Sequence, residues 1–137
     1  MEGETKARPR LIVLDDERSI LALFESFANR YQYKIETYMD GVSALEAIRE
    51  NPARADLLFV DIKMPRMDGI TFAKKLREAD VKLPIVFMTG YPSDDARKEI
   101  LKLRYTLFLE KPLQIDKVFR ETIPQALGLK PKGLRFE

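Results

Sequence analysis

The sequence predicts an α/β domain: a five-stranded parallel sheet with helices on both faces. Three observations carry that expectation. Five short apolar runs are spread along the 137 residues. Segments with a helical period separate them, so strand and helix alternate five times, the order produced by right-handed crossovers in one sheet. Acidic and polar residues stand immediately after most of the runs, at the strand ends where an open parallel sheet keeps its ligand site.

The runs are "LIVL" (residues 11–14), "YKIETY" (33–38), "LLFV" (57–60), "PIVFM" (84–88) and "TLFL" (106–109). Four are continuous, as expected of strands covered on both faces. The second alternates and carries Lys34 and Glu36, which marks it as an edge strand. In the first helical segment Ile20, Phe24, Phe27 and Tyr31 share one face. Asp40 is placed to N-cap the second, with Val42, Leu45 and Ile48 facing in. The third follows Gly69 and turns Ile70, Ala73 and Leu76 inward; Ser93 caps the fourth, which buries Ala96, Ile100 and Leu103. The fifth follows Pro112, uses Ile115, Val118, Phe119 and Ile123, and is stopped or kinked by Pro124. Residues 1–9 read as a polar arm, 10–127 as the domain, and 128–137 as a tail or the start of a linker.

Composition removes whole classes of chemistry. Cysteine is absent, which excludes disulfides, thiolate zinc sites and cysteine nucleophiles. Histidine is absent, which excludes imidazole bases and His metal ligands. A net charge of +2 gives no argument for direct nucleic-acid binding, and no apolar run approaches a membrane span. With no apolar leader in "MEGETKARPR", the expected location is cytoplasmic.

Asp15 and Asp16 follow the first run, Asp61 the third, Thr89 the fourth and Lys111 the fifth. Any one of these has an ordinary explanation as a cap or turn residue, as Asp68 before Gly69 does. Coincidence at four strand ends is the signal. Carboxylates brought together at one cleft repel and call for a cation. With oxygen ligands and no His or Cys, that cation is Mg2+, for which Mn2+ is a substitute. Acids, a divalent ion, a lysine and a hydroxyl suit phosphoryl transfer, where positioning and charge stabilisation do most of the catalysis.

The motifs "DD" (Asp15, Asp16), "DIKMPRMDG" (61–69), "MTG" (88–90) and "FLEKP" (108–112), in that order, resemble the receiver domain of two-component response regulators, the CheY-like family. The resemblance spans about Arg10 to Ile123. It implies a (βα)5 flavodoxin-like fold with strand order 2-1-3-4-5. It implies that Asp61 accepts a phosphoryl group from a phosphohistidine of a sensor histidine kinase or phosphotransfer protein. Asp15, Asp16, Asp61 and the backbone carbonyl of Lys63 would hold Mg2+. Lys111 and Thr89 would bind the phosphoryl group, and the Lys111–Pro112 bond would be cis. Thr89 and Phe108 would form the switch. It would be read by a downstream protein or by an output domain absent from this chain, through the face of the fourth helix, fifth strand and fifth helix. That face would also serve a phosphorylation-dependent dimer if the chain is not a monomer throughout. Such a protein is not a turnover enzyme; its only chemistry is on itself.

Some positions depart from the family pattern. Phe108 stands where Tyr is frequent, Arg104–Tyr105 where many relatives carry Gly-Ala, and Pro124 falls early in the last helix. Lys63 and Tyr91 are large residues flanking the acceptor and are expected to slow hydrolysis of the acyl phosphate. Three other readings compete. A Mg2+-dependent phosphohydrolase with an aspartyl nucleophile would need Glu17 as its acid. A flavodoxin-like cofactor binder is opposed by the acidic "DDERS" loop. A receiver driving an appended DNA-binding domain needs more chain than is present.

Overall fold

Continuous apolar runs need two dry faces, and the sheet supplies them to three of the four; the run at 106–109 is instead a half-buried edge strand. A computed structural model describes residues 8–129; the expected arm and tail fall almost wholly outside these. The five strands β1 (Arg10–Leu14), β2 (Lys34–Tyr38), β3 (Leu57–Asp61), β4 (Ile85–Thr89) and β5 (Thr106–Glu110) form one parallel sheet of order β2-β1-β3-β4-β5. The fold class and strand order are those expected, with the alternating second run at an edge.

Side chains alternate along each strand and divide the core in two. Ile12, Leu14, Leu58, Val60, Ile85 and Phe87 face helices α2 (Gly41–Glu50), α3 (Gly69–Glu78) and α4 (Asp94–Leu101). Leu11, Val13, Leu57, Phe59, Val86 and Met88 face α1 (Arg18–Tyr31) and the last helix. The central strands β3 and β4 are buried at every residue, which is why their runs show no alternation.

Short polar side chains start three helices. Asp40 accepts from the Ser43 amide at 2.9 Å, Asp68 from Thr71 at 2.8 Å, and Ser93 from Ala96 at 3.1 Å. Asp40 and Ser93 do as the sequence suggested, and Asp68 caps a helix as well as closing a turn.

The structure corrects the expected helix faces in three places. Val42 is 49% exposed, and Gly41 and Ala44 turn inward in its stead. In α3 the largest buried side chain is Phe72, which the spacing argument passed over. In α1 the buried line is Leu21, Phe24 and Ala28, with Phe27 and Tyr31 at its margin against Phe119.

Pro124 neither stops nor shortens the fifth helix. That element, α5, covers residues 115–127 as an α-turn Ile115–Lys117, a π-turn Val118–Thr122 and an α-helix Ile123–Leu127. The Ile123 amide reaches back five residues to the Val118 carbonyl. Proline has no amide to offer, so the helix absorbs it by widening one turn just before it.

The Arg104–Tyr105 corner is held from α3. Tyr105 has φ 60°, a left-handed conformation costly for a side-chain-bearing residue. Arg77 donates to the carbonyls of Arg104 at 2.7 Å and Val81 at 2.9 Å, and its guanidinium lies 5.8 Å from the Tyr105 ring centroid. Burial lowers this guanidinium to about 10. It has traded solvation for a fixed hold on the entry to β5.

Gly69 places the Asp61 end of β3. Its amide donates to the Ile62 carbonyl at 2.9 Å. A Cβ there would lie 2.3 Å from the Asp61 carbonyl oxygen and 2.8 Å from a Val60 methyl. Gly69→Ala is expected to cost about 1–3 kcal/mol, lowering the thermal midpoint by several degrees. An unchanged midpoint would show that the loop yields freely.

Candidate functional site

The parallel sheet brings the carboxyl ends of its strands to one edge. Register pairs Asp61 with Met88 and Thr89 with Glu110. Beyond the ladder, the Ile62 amide donates to the Met88 carbonyl at 2.9 Å, and the Lys111 amide to the Thr89 carbonyl at 2.8 Å. These bonds carry the sheet geometry one residue further and fix where Asp61, Thr89 and Lys111 emerge. The Asp15 amide is held by the Tyr38 carbonyl at 3.1 Å.

Asp15 is wholly buried and Asp61 is 5% exposed, while Asp16 is the more open of the three. Carboxylate oxygens of Asp15, Asp16 and Asp61 lie within 4.8 Å of one another. Lys111 Nζ reaches into the group, 2.9 Å from Asp15 Oδ2, 2.9 Å from Glu17 Oε1 and 3.6 Å from Asp61 Oδ1. Asp15 Oδ1 accepts from the Glu17 amide at 2.9 Å. One ammonium therefore serves three carboxylates, with the Asp16 carboxylate close beside them.

Burial and crowding show in the protonation of Asp15, Asp61 and Lys111. Burial, and then the charge of Asp15, pushes the Asp61 carboxyl up to about 7. Burial also raises Asp15, against the opposing hydrogen bonds from Glu17 and Lys111. Burial alone would lower the Lys111 ammonium, yet its hydrogen bonds to Glu17 and Asp15 carry it well above the ordinary lysine range. Both members of the Lys111–Asp15 pair move upward, for different reasons: burial penalises the charge on Asp15, whereas the acids around Lys111 outweigh the burial of its ammonium. A hard divalent cation with free coordination positions fits this donor set: three converging oxygen ligands and surplus negative charge.

Thr89 is buried at the end of β4, and its Oγ1 accepts from the Tyr91 amide at 3.1 Å. Its hydroxyl hydrogen stays free to donate. The Lys111–Pro112 peptide bond is cis. Lys63, on the loop after Asp61, and Tyr91, on the loop after Thr89, meet across the mouth of the site, with the ammonium 5.5 Å from the ring centroid. Phe108 is half-buried on β5, with the Arg97 guanidinium of α4 4.6 Å from its ring centroid.

Two contacts were not anticipated. Glu17 entered the sequence argument only as an acid for a hydrolase, and here it grips Lys111. The third acid of "DDER" was the available signal. Arg97 over Phe108 had no sequence signal, because nothing in the spacing of a helix and a following strand names that pair.

The sequence matches the response regulator receiver domain family over residues 11–122. It is 33% identical over 118 residues to the transcriptional regulatory protein ZraR of Klebsiella oxytoca, covering 86% of this chain and 26% of that protein. It is 29% identical over 121 residues to the sporulation initiation phosphotransferase F of Bacillus subtilis, covering 88% of this chain and 95% of that one. The chain thus spans about a quarter of the first relative and nearly all of the second. Among solved structures, the chemotaxis protein CheY4 of Vibrio cholerae superposes with a TM-score of 0.78 at 27% identity, over 88% of this chain and 99% of that one. No helix among the described residues is long and apolar enough to cross a membrane.

The raised Asp61 fixes a pH dependence. Its folded value, about 7, lies above the ordinary 3.8, so its contribution is fully present below pH 3.8 and is lost as pH rises through 7. In the presence of a chelator, stability is expected to fall across that window by on the order of a few kcal/mol. Asp61→Asn should then raise the thermal midpoint at pH 7.5, with the gap closing near pH 4. A lower midpoint for Asp61→Asn at pH 7.5 would refute this account.

Proposed function

The chain belongs to the response regulator receiver domain family, and from that premise we propose that it is a phospho-accepting switch with Asp61 as the acceptor. The observation that carries the proposal is the convergence of Asp61, Lys111 and the Asp15–Asp16 pair at one sheet edge. The donor is a phosphohistidine on a sensor histidine kinase or phosphotransfer protein. These 137 residues contain no histidine, so the donor comes from outside them.

An Asp61 carboxylate oxygen attacks phosphorus as the phosphorus–nitrogen bond breaks. The electron pair of that bond stays on the imidazole, and an acyl phosphate forms on Asp61. Asp15, Asp16, Asp61 and the Lys63 carbonyl would hold Mg2+, or Mn2+ in its place. The cation supplies charge neutralisation for the crowded acids and the incoming phosphoryl oxygens. Lys111 supplies a second positive charge, and the Thr89 hydroxyl donates to a phosphoryl oxygen. The reaction is a single transfer onto the protein, followed by slow self-hydrolysis. It is not turnover of a free substrate.

Movement of Thr89 toward the phosphoryl group opens space for Phe108. The face of α4, β5 and α5 then reports the state to a downstream protein, to an output domain, or to a second copy. The Lys63–Tyr91 contact closes the two loops over the acceptor and hinders the hydrolytic water.

Incubation with acetyl phosphate and Mg2+ should add one phosphoryl mass to the wild type and none to Asp61→Ala, read by intact mass. No mass gain in the wild type would refute the proposal. Phospho-Asp61 should decay several times faster in Lys63→Asn and in Tyr91→Ala than in wild type; equal decay in both would dismiss the shielding role.

A further inference from the structure

We infer that Glu17 is a positioning residue that parks the Lys111 ammonium on the β1 side of the site, so that Lys111 engages a phosphoryl group on Asp61 by leaving Glu17. The inference rests on Asp61 being the phospho-acceptor. Two independent observations converge on it.

The first is the set of distances. Lys111 Nζ sits 2.9 Å from both Asp15 and Glu17, and 3.6 Å from Asp61. The acceptor is the outermost of its three acids. Asp15 is wholly buried, whereas the Glu17 side chain is 58% exposed. Lys111 is thus held between a buried partner and a releasable one.

The second is the start of α1, which, like that of α5 at Gln114, lacks the side-chain cap that the other three helices have. Helices α2, α3 and α4 begin with Asp40, Asp68 and Ser93, each bonding an amide of its own first turn. The equivalent residue of α1 is Glu17, whose backbone is extended as a cap requires (φ −97°, ψ 114°), yet whose side chain makes no capping bond. A capping side chain ordinarily stabilises the helix it starts. Here the carboxylate turns away from α1 to a lysine 94 residues further along the chain. Departures of this kind from a local rule cluster at working sites.

The physical consequence is a competition. In the unphosphorylated protein Glu17 and Asp15 together neutralise Lys111 and keep it short of Asp61. Phosphorylation concentrates further negative charge on Asp61, and the ammonium shifts to it. No bond is made and no proton moves. Glu17, fully open to water once released, sets the resting bias of the site.

The test uses beryllofluoride, a phosphoryl mimic, at saturating Mg2+. Wild type, Glu17→Gln and Glu17→Asp are compared for binding and for thermal midpoint, with acetyl phosphate labelling in parallel. Glu17→Gln removes the charge. Glu17→Asp keeps it on a shorter arm that caps α1 and falls short of Lys111. Both variants are expected to bind beryllofluoride about two- to fivefold more tightly than wild type, the range of one exposed ion pair. Glu17→Asp should do so with a midpoint at or above that of wild type, which a merely structural role for Glu17 would not produce. Binding by both variants at or below the wild-type affinity overturns the inference. Wild type that neither binds beryllofluoride nor accepts phosphate overturns the acceptor role of Asp61 itself, and the inference with it.

Discussion

Everything at the working edge of this domain follows from burying two aspartates beside each other with one lysine between them. Asp15 and Asp61 end neighbouring strands, so a parallel β1–β3 pairing forces them together. Neither can retreat, because the residues before them are locked into both faces of the core. The cost of gathering these charges is real, and it appears as the elevated Asp61 and Asp15 carboxyls. Lys111, delivered from the far side of the sheet, offsets part of it. The remainder is an attraction for cations and a site receptive to charged oxygen.

That arrangement was largely legible in the sequence because its causes are local. Buried central strands read as unbroken apolar runs, and the polar residues after them are where an open parallel sheet places chemistry. Asp40 and Ser93 announced helix starts by residue type alone. What escaped notice depends on relations between elements. Phe72 was passed over since Ile70, Ala73 and Leu76 already made a plausible face. Val42 fitted a helical period but lies on the side of α2 where no neighbour packs. Pro124 carries a breaker's reputation, and only the π-turn before it shows how the backbone keeps going. Glu17 and Lys111 are 94 residues apart, a separation that no periodicity spans.

The two halves of the core divide the labour. The cluster under α1 and α5 is rich in aromatics, with Phe24 packed against both Phe59 and Phe119. It is the more solid base on which β1 and β3 rest. Across the sheet, α4 is short and fully buries Ile100 alone, with the Lys74–Glu99 ion pair at 2.7 Å tying it to α3. A helix so lightly fastened beside β4 and β5 is where a change at Thr89 meets least resistance.

In the switch proposed above, Arg97 over Phe108 would set the character of the response. A guanidinium resting on a half-exposed ring is worth about 0.5–1 kcal/mol, a two- to fivefold weighting of one ring position over another. Driving a population from one extreme to the other takes about 5.5 kcal/mol. Phe108 has no hydroxyl to add a second anchor. In the proposed switch such a contact would bias the ring without locking it, and a partner that covered Arg97 would alter that bias.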